Sequence, residues 1–203
     1  MGHPDLLRVT APLPANLVEV PVVKQQRDFS CGAAATLAVL RFWSVEGYAH
    51  AQESGLYAAL QTTEARGTEP EPMAALLRQG GLEASYRYGD VTLAELERAV
   101  DAGEPPIVDL QALKDHALPW RETWDAGHYV VMVGYDRERL FVADPGTMTP
   151  GAYAFLPRAE LEERWHDLAG EHDERLERMA IFVRGARRWT PVHPRPEIAT
   201  RLD

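Results

Sequence analysis

Apolar residues recur with helical spacing through the first half of the chain. The pattern predicts helices over residues 31–43 and 49–61, a third from residue 68 to the glycines at 80 and 81, and a fourth from residue 92 to the glycine at 103. Ser30 is a candidate N-cap for the first helix. Capping-box pairs open the third and the fourth, formed by Thr68 with Glu71 and by Thr92 with Glu95.

Beyond the two prolines at 105 and 106, the pattern changes to short runs of β-branched and aromatic residues. Strands are predicted over residues 107–110, 128–135, 140–144 and 179–184, with a helix over 158–168 and a charged surface connection over 169–177. A polar turn at residues 136–138 joins the second and third of these strands into an antiparallel hairpin. Helices that precede strands in this way predict an α+β fold.

Proline-rich segments flank this region on both sides. Residues 1–17 contain three prolines and are interpreted as an irregular N-terminal arm. The extended segment 17–24 is predicted to lie at the edge of a sheet, because it is β-branched and contains a proline. Residues 186–203 are interpreted as a Pro-rich C-terminal tail that forms an extended appendage. A single domain over residues 18–185 is expected between the two segments.

The 203 residues include 21 Lys+Arg and 31 Asp+Glu, which gives a formal net charge of −10. An acidic chain without a basic run repels phosphate backbones, so nucleic acid is not an expected partner. No apolar stretch approaches the roughly 18 residues of a spanning helix, and the first residues lack a signal-peptide pattern. We therefore expect a cytoplasmic protein with no membrane partner. The single cysteine, Cys31, excludes an intrachain disulfide and a multi-cysteine zinc site.

Cys31 lies at the first turn of the first predicted helix. The partial positive charge of a helix N-terminus stabilises a thiolate, which is the reactive form of cysteine. Gly32 follows it and leaves room for a substrate to pass close to the backbone. Taken alone, Cys31 is better explained as a small buried residue packed among the alanines that follow it.

Two glutamines precede the cysteine. Gln25 lies six positions before Cys31 and carries an amide that can donate to the oxyanion formed when a thiolate attacks a carbonyl, beside the backbone N–H of the cysteine. Gln26 is the alternative donor. An exposed polar loop residue is the competing interpretation of either side chain.

His128, one of seven histidines, opens the most strand-like segment directly after Gly127, where a sheet end is expected to meet a cleft. The midpoint of residues 128 and 144 is residue 136, at the predicted turn, so the hairpin brings His128 and Asp144 opposite each other. An aspartate in this position fixes the tautomer of the histidine and stabilises the imidazolium. Cys31, His128 and Asp144 are therefore predicted to form a nucleophilic site. A metal site made of the same three side chains is the less favoured alternative.

A long loop over residues 111–127 leads into His128. Trp120 and Trp124 are predicted to line the substrate cleft with Gly127, because this loop feeds directly into the histidine and carries two large amphipathic rings. Aromatic anchors that pin the loop to the core are an equally supported interpretation. Three other histidines are expected at the solvent-exposed surface: His116, His166 and His172.

Two segments resemble motifs of the double-glycine leader peptidases, the bacteriocin-processing branch of the papain-like cysteine peptidases. The segment VPVVKQQRDFSCGAAATLAVLRFW is similar to the N-terminal motif of that family, with its Gln-x5-Cys-Gly spacing. The segment DAGHYVVMVGYDRERLFVADPGT is similar to its histidine and aspartate motifs, in the same order. The intervening GTEPEPMAALLRQGGLEA resembles its linking helix, and the resemblance covers residues 18–185.

The resemblance implies a papain-like fold in which N-terminal helices pack on a C-terminal antiparallel sheet. It implies a cysteine peptidase with Cys31 as nucleophile, His128 as general base and then acid, Asp144 as orienting carboxylate and Gln25 as oxyanion donor. A peptide or protein is the implied substrate, and no metal or organic cofactor is needed. Two alternatives stay open: an acyl transferase that uses the same thioester, and a peptide-binding module without catalysis.

Overall fold

The computed structural model describes residues 9–112, 118–147, 151–170, 172–191 and 196–202. Its helices are α1 (Cys31–Phe42), α2 (Tyr57–Leu60), α3 (Pro70–Gln79), α4 (Leu93–Asp101) and α5 (Arg158–Arg164), with 3-10 turns at Glu53–Leu56 and Trp120–Glu122. Its strands are β1 (Thr10–Pro12), β2 (Glu83–Arg87), β3 (Ile107–Gln111), β4 (Gly127–Tyr135), β5 (Arg139–Ala143), β6 (Tyr153–Pro157), β7 (His166–Ala169), β8 (Glu174–Glu177), β9 (Ala180–Arg184) and β10 (Ile198–Arg201).

One large sheet organises the described part of the chain. Its strands follow the spatial order β1-β10-β6-β5-β4-β3-β9-β2, and neighbouring strands are antiparallel except for the parallel pair of β10 and β6. A separate antiparallel hairpin consists of β7 and β8. Helices packed on such a sheet confirm the predicted α+β class. Within the described ranges, no helix combines the length and the apolar character that crossing a membrane requires.

The sheet is covered on both faces, which explains why β3 and β4 are buried almost throughout. Ile107 of β3 belongs to an apolar cluster that includes residues of α1 and α3. Val108 and Leu110 belong to a second cluster that includes residues of α4 and α5. Because side chains alternate along a strand, Asp109 and Gln111 lie on the same face as Ile107, towards α1.

Small residues allow α1 to be buried on nearly all sides. Every residue from Cys31 to Leu40 is buried, and the alanines at 33, 34 and 35 have no exposed surface. Ser30 occupies the N-cap position, as predicted, but its hydroxyl makes no capping bond. That hydroxyl lies 2.8 Å from Oε1 of the buried Glu53 instead, because a buried carboxylate needs a donor more strongly than the helix end does.

The fourth helix and the hairpin form as the sequence predicts. Both hydrogen bonds of the capping box between Thr92 and Glu95 are present at the start of α4. Strands β4 and β5 pair antiparallel, and their register shifts between Met132 and Gly134. The local patterns are reliable here because each partner lies only a few residues away in the chain.

The predicted capping box of the third helix does not form. Helix α3 begins at Pro70 with Glu69 as its N-cap, and no side-chain bond caps it. The Thr68 hydroxyl lies 2.8 Å from that of Thr62, whereas Glu71 forms an ion pair with Arg78. These partners compete for both side chains of the predicted box.

Other predicted boundaries also change. The helix expected over 158–168 ends at Arg164, because the following residues pair with β8 as strand β7. The connection expected over 169–177 contains β8. Residues 17–24 form no strand, although the Val18 N–H donates to the Val133 carbonyl at 2.7 Å.

The interpretation of the C-terminal tail as an appendage is wrong. Strand β10 lies between β1 and β6 in the sheet, and Ala199 is fully buried. Strand β1 itself falls within the segment expected to be irregular. Strands of three and four residues beside prolines carry too little alternation to be recognised in the sequence.

Candidate active site

Cys31 is the first residue of α1, so its thiol lies at the N-terminus of a helix. The residue is 7% exposed, and it lines a cleft of about 270 Å³. The thiol is therefore largely shielded from bulk water while it still faces a cavity that can hold a substrate.

His128 and Asp144 meet beside this thiol. His128 is the second residue of β4, and Asp144 directly follows β5. The His128 Nε2 atom lies 2.6 Å from Asp144 Oδ1, and the same imidazole is hydrogen-bonded to Cys31. Because Nε2 faces the carboxylate, Nδ1 is the ring nitrogen left for the thiol. The structure thus brings together the three residues that the hairpin geometry and the helix start predict.

Contacts with Asp144 and Cys31 determine the charge of His128. Burial by itself lowers the pKa of this histidine, but hydrogen bonds to Asp144 and Cys31, together with their negative charges, raise it to about 10. An ordinary histidine has a pKa of about 6.5 and is mostly neutral at pH 7. His128 is therefore an imidazolium at neutral pH, and a positive ring beside a thiol stabilises the thiolate.

Lys24 holds the turn that carries Asp144. Its ammonium donates to the backbone carbonyls of Asp144 at 3.0 Å and Gly146 at 2.9 Å. The Gly146 N–H in turn donates to Asp144 Oδ1 at 2.8 Å. Desolvation lowers the pKa of Lys24, while the charge of Asp144 opposes that change. The only sequence signal of this lysine is its place directly before Gln25.

The two candidate oxyanion donors have different partners. The Gln25 side chain donates from Nε2 to the Arg27 carbonyl at 2.9 Å, and its backbone N–H donates to the Pro145 carbonyl at 2.9 Å. The Gln26 amide lies 3.1 Å from the Gln52 amide oxygen. Gln25 therefore lies beside the turn that follows Asp144, whereas Gln26 is directed to the 3-10 turn region.

Glu53 fixes the backbone that leads into Cys31, and the sequence analysis missed it. It is only 1% exposed, and its Oε1 accepts from the Gln26 N–H at 2.6 Å, from Ser30 Oγ at 2.8 Å and from the Tyr57 hydroxyl at 2.9 Å. A glutamate within the helix predicted over residues 49–61 gives no signal of such a role.

One of the two tryptophans that were predicted to line the cleft does so. Trp124 lines it, with its ring 4.3 Å from the ring of His166. Trp120 is not among the described residues that line it, because its ring packs against the guanidinium of Arg164 at 4.0 Å. The expectation that His166 is solvated is wrong, since it is buried with Nε2 2.7 Å from the Thr123 carbonyl. His172 is exposed, as expected, and His116 lies outside the described residues.

The two predicted glycines have different environments. Gly127 lines the cleft, and a Cβ at this position would collide with the carboxylate of Asp167. Gly32 is buried and does not line the described cleft, because Thr68 and Tyr129 close over it. A Cβ on Gly32 would lie 2.7 Å from Thr68 Cβ, so close packing is what this glycine permits.

Two further carboxyl groups lie beside the thiol and the imidazole. Asp109 of β3 is 2% exposed and contacts the carboxyl of Asp167 on β7. Burial raises the pKa of Asp109 well above its usual range, and the charges of Asp167 and Cys31 raise it further. Burial also raises the pKa of Asp167. Gln111 orients this pair, because its Nε2 donates to Asp167 Oδ1 and its Oε1 accepts from the Ala126 N–H, both at 3.0 Å.

A family model described as the Peptidase_C39 like family matches residues 17–172. The chain belongs to this family. The matched segment includes Gln25, Cys31, His128 and Asp144 of this C39-like chain. No curated protein matches the chain.

Solved structures share the fold of this C39-like chain. A putative C39-like peptidase from Bacillus anthracis has a TM-score of 0.61 at 18% identity, covering 85% of this chain and 98% of that chain. The peptidase domain of Streptococcus ComA, a bifunctional ABC transporter, has a TM-score of 0.57 at 17% identity, covering 83% and 99%. A double glycine motif protease from an AMS/PCAT transporter, in complex with the leader peptide, has a TM-score of 0.54 at 19% identity, covering 88% and 100%. Together with the family match, this shared fold confirms the resemblance to the double-glycine peptidases.

Proposed function

We propose that the chain is a cysteine peptidase, or a close amide-cleaving relative, that acts on peptides or proteins. The chain belongs to a C39-like peptidase family and shares the fold of a double glycine motif protease. The observation that carries the proposal is the position of His128, between the buried Asp144 carboxylate and a thiol that opens onto a cleft. One neighbour is a protease in complex with a leader peptide, which supports a peptide as the substrate here. A free thiol nucleophile suits a reducing compartment, so we place the activity in the cytoplasm.

In the first step, the Cys31 thiolate attacks the carbonyl carbon of the scissile amide. The new carbon–sulfur bond forms as the carbonyl electron pair moves to oxygen, and the resulting oxyanion needs hydrogen-bond donors. The backbone N–H of Cys31 and the amide of Gln25 are the donors that we propose. In the structure, the Gln25 side-chain amide donates to the Arg27 carbonyl. To stabilise the oxyanion, it must give up this hydrogen bond and donate to the oxyanion in its place.

The second step releases the products. The His128 imidazolium gives its Nδ1 proton to the leaving amine as the carbon–nitrogen bond breaks, which leaves a thioacyl-enzyme. Neutral His128 then takes a proton from a water molecule as the water oxygen attacks the thioester carbon. The carbon–sulfur bond breaks and the carboxylic acid product leaves, which restores the Cys31 thiolate and the His128 imidazolium. Asp144 keeps the ring oriented through both steps with its bond to Nε2.

The test is a peptide-cleavage profile of the purified chain. A peptide library made from a cell lysate with two proteases of different specificity is incubated with wild-type protein, and new termini are identified by mass spectrometry. We expect cleavage by wild type, none by Cys31→Ala, and a smaller loss for Asp144→Asn than for His128→Ala. The exposed Glu163, which has no contact with the cleft, provides the Glu163→Gln control with unchanged cleavage.

Other outcomes identify the alternatives. Equal cleavage by Cys31→Ala protein contradicts the proposal. Peptide binding without cleavage, combined with a thiol that does not react with iodoacetamide, indicates a binding module. Product that forms only when an amine acceptor is added indicates an acyl transferase.

A further inference from the structure

Acidic side chains dominate the cleft in front of Cys31. The carboxylates that line it are Asp28, Glu69, Asp125, Asp167 and Asp173. Arg66 is the basic residue in the described lining, and it forms an ion pair with Glu69 at 3.3 Å. The remaining charge on the walls is negative. A group of carboxylates on a cleft wall does not by itself define a binding site, but one of these carboxylates contacts a buried carboxyl.

Asp109 lies directly behind Asp167. It is on the face of β3 that turns towards α1, opposite Tyr129 of β4, and Tyr129 lines the cleft. Asp109 is almost completely buried, and its Oδ1 has no hydrogen-bond partner among the described residues. Asp109 is hydrogen-bonded to Asp167, and such a bond needs a shared proton, because two ionised carboxylates can only accept. Without a cation beside it, the pair keeps this proton and cannot carry two negative charges.

Asp167 joins this buried group to the cleft. It lines the cavity on one side, contacts Asp109 on the other, and lies against Gly127, the residue before His128. Gln111 donates one hydrogen bond to Asp167 Oδ1, which leaves further lone pairs for a ligand. The positive charges that act on the pair come from His128 and His166, and His128 is already bound to Asp144.

We propose that Asp167, with Asp109 behind it, is a subsite for a cationic group of the substrate. An ammonium or guanidinium in this subsite donates to Asp167 and replaces the proton that the two adjacent carboxyls otherwise share. That proton then leaves to the solvent. The inference rests on the proposed function, since it names the class of peptide that the Cys31 site selects: one with a lysine or arginine side chain, or a free N-terminus, beside the scissile bond.

The first experiment measures charge selection without any need for turnover. Cys31 is the only cysteine, so intact mass follows its modification. The thiolate attacks a methanethiosulfonate reagent to form a mixed disulfide, and methanesulfinate leaves with the electron pair of the broken sulfur–sulfur bond. Second-order rates are measured for the cationic 2-aminoethyl and the neutral propyl reagent. We expect the cationic-to-neutral rate ratio to fall about tenfold in Asp167→Asn, the size typical of one charge-assisted hydrogen bond.

Matched variants separate a subsite from the general field of the cleft. Asp173→Asn removes a carboxylate of the same sign from the cleft wall, and Glu163→Gln removes one outside it. We expect less than a twofold change in the rate ratio for both of these variants. In Asp109→Asn, we expect the rate ratio to fall by about as much as in Asp167→Asn. An equal effect of Asp173→Asn and Asp167→Asn overturns the proposal, as does an unchanged ratio in Asp167→Asn with wild-type circular dichroism.

The second experiment identifies which cation is bound. A peptide that the wild type cleaves is synthesised with lysine, acetyl-lysine or norleucine on either side of the scissile bond, each with a free or an acetylated N-terminus. We expect kcat/KM to fall about tenfold when one of these cations is neutralised, and Asp167→Asn to remove that preference. Cleavage that is indifferent to all of these charges overturns the subsite and leaves the peptidase intact. Absence of cleavage with a preserved reagent preference contradicts the proposed function alone.

Discussion

The Asp144→Asn variant tests the charge state of His128. Asp144 is 2% exposed, and its Oδ1 accepts from His128 Nε2 at 2.6 Å and from the Gly146 N–H at 2.8 Å. Asparagine keeps an oxygen that can accept both bonds, so the hairpin retains its geometry while the negative charge is lost. The difference between the two proteins is therefore mainly electrostatic.

The expected size follows from that single contact. A hydrogen bond to a charged partner contributes about 1.5–3 kcal/mol, and one pKa unit corresponds to about 1.4 kcal/mol. The pKa of His128 should thus fall from about 10 in wild type to about 8–9 in Asp144→Asn. Since the imidazolium exists below its pKa, the variant loses the ring proton at a lower pH, and the alkaline limb of kcat/KM moves in the same direction.

The assay is a histidine NMR titration from pH 5 to 11 with labelled histidine side chains. The His128 signal is assigned by its absence from His128→Gln protein. Asp136→Asn is the control, because Asp136 lies at the far turn of the same hairpin and pairs with Arg139. A wild-type signal that titrates near pH 6.5, or one that titrates identically in Asp144→Asn, refutes the reasoning.

The same shift makes the stability of the protein depend on pH. The pKa of His128 is about 10 in the folded chain and about 6.5 in the unfolded chain, so its contribution is complete below pH 6.5 and is lost as the pH rises towards 10. Urea unfolding between pH 7 and 10 should therefore show a steeper decline for wild type than for Asp144→Asn.

Four further substitutions test other parts of the structure. Glu53→Ala removes a buried carboxylate that accepts three hydrogen bonds, so we expect a loss of about 2–3 kcal/mol in urea unfolding and slower alkylation of Cys31. Gly127→Ala forces a Cβ into a neighbouring carboxylate and should cost about 1–3 kcal/mol, and an unchanged melting temperature contradicts that contact. Trp124→Ala should raise KM, whereas Trp120→Ala should lower the melting temperature and leave KM unchanged; the reverse result refutes the assignment of the cleft wall.

Features whose partners are near in the sequence could be predicted from it. The hairpin is the clearest example, since its turn determines which residues of the two strands face each other. The register shift between Met132 and Gly134 changes the pairing of the strands, but His128 and Asp144 remain in contact. The capping box at Thr92 forms for the same reason. The equivalent pattern at Thr68 does not form, because the hydroxyl of Thr62, six residues earlier, competes for the Thr68 hydroxyl.

Features whose partners are distant could not be found in this way. Asp109 lies on β3 of the large sheet and Asp167 on β7 of the separate hairpin, which meet only in the folded protein, and neither residue carries a local motif. Glu53 is hidden for the same reason, since its burial depends on the loop before Cys31. The length of α5 depends on the pairing of β7 with β8, which ends the helix where intrinsic propensity would continue it.

The position of β10 also determines the order in which the sheet can assemble. Thr200 pairs with Thr10 on one side and Ala154 on the other, so one edge of the sheet joins opposite ends of the described chain. Contacts between such distant segments carry the largest loop-closure entropy and form late in folding. During synthesis on the ribosome, the outer edge of β6 stays unpaired until β10 emerges, which is an opportunity for strand exchange between nascent chains. Strand β4, which carries His128, and β5, which ends just before Asp144, lie further inside the sheet and can pair before this edge closes.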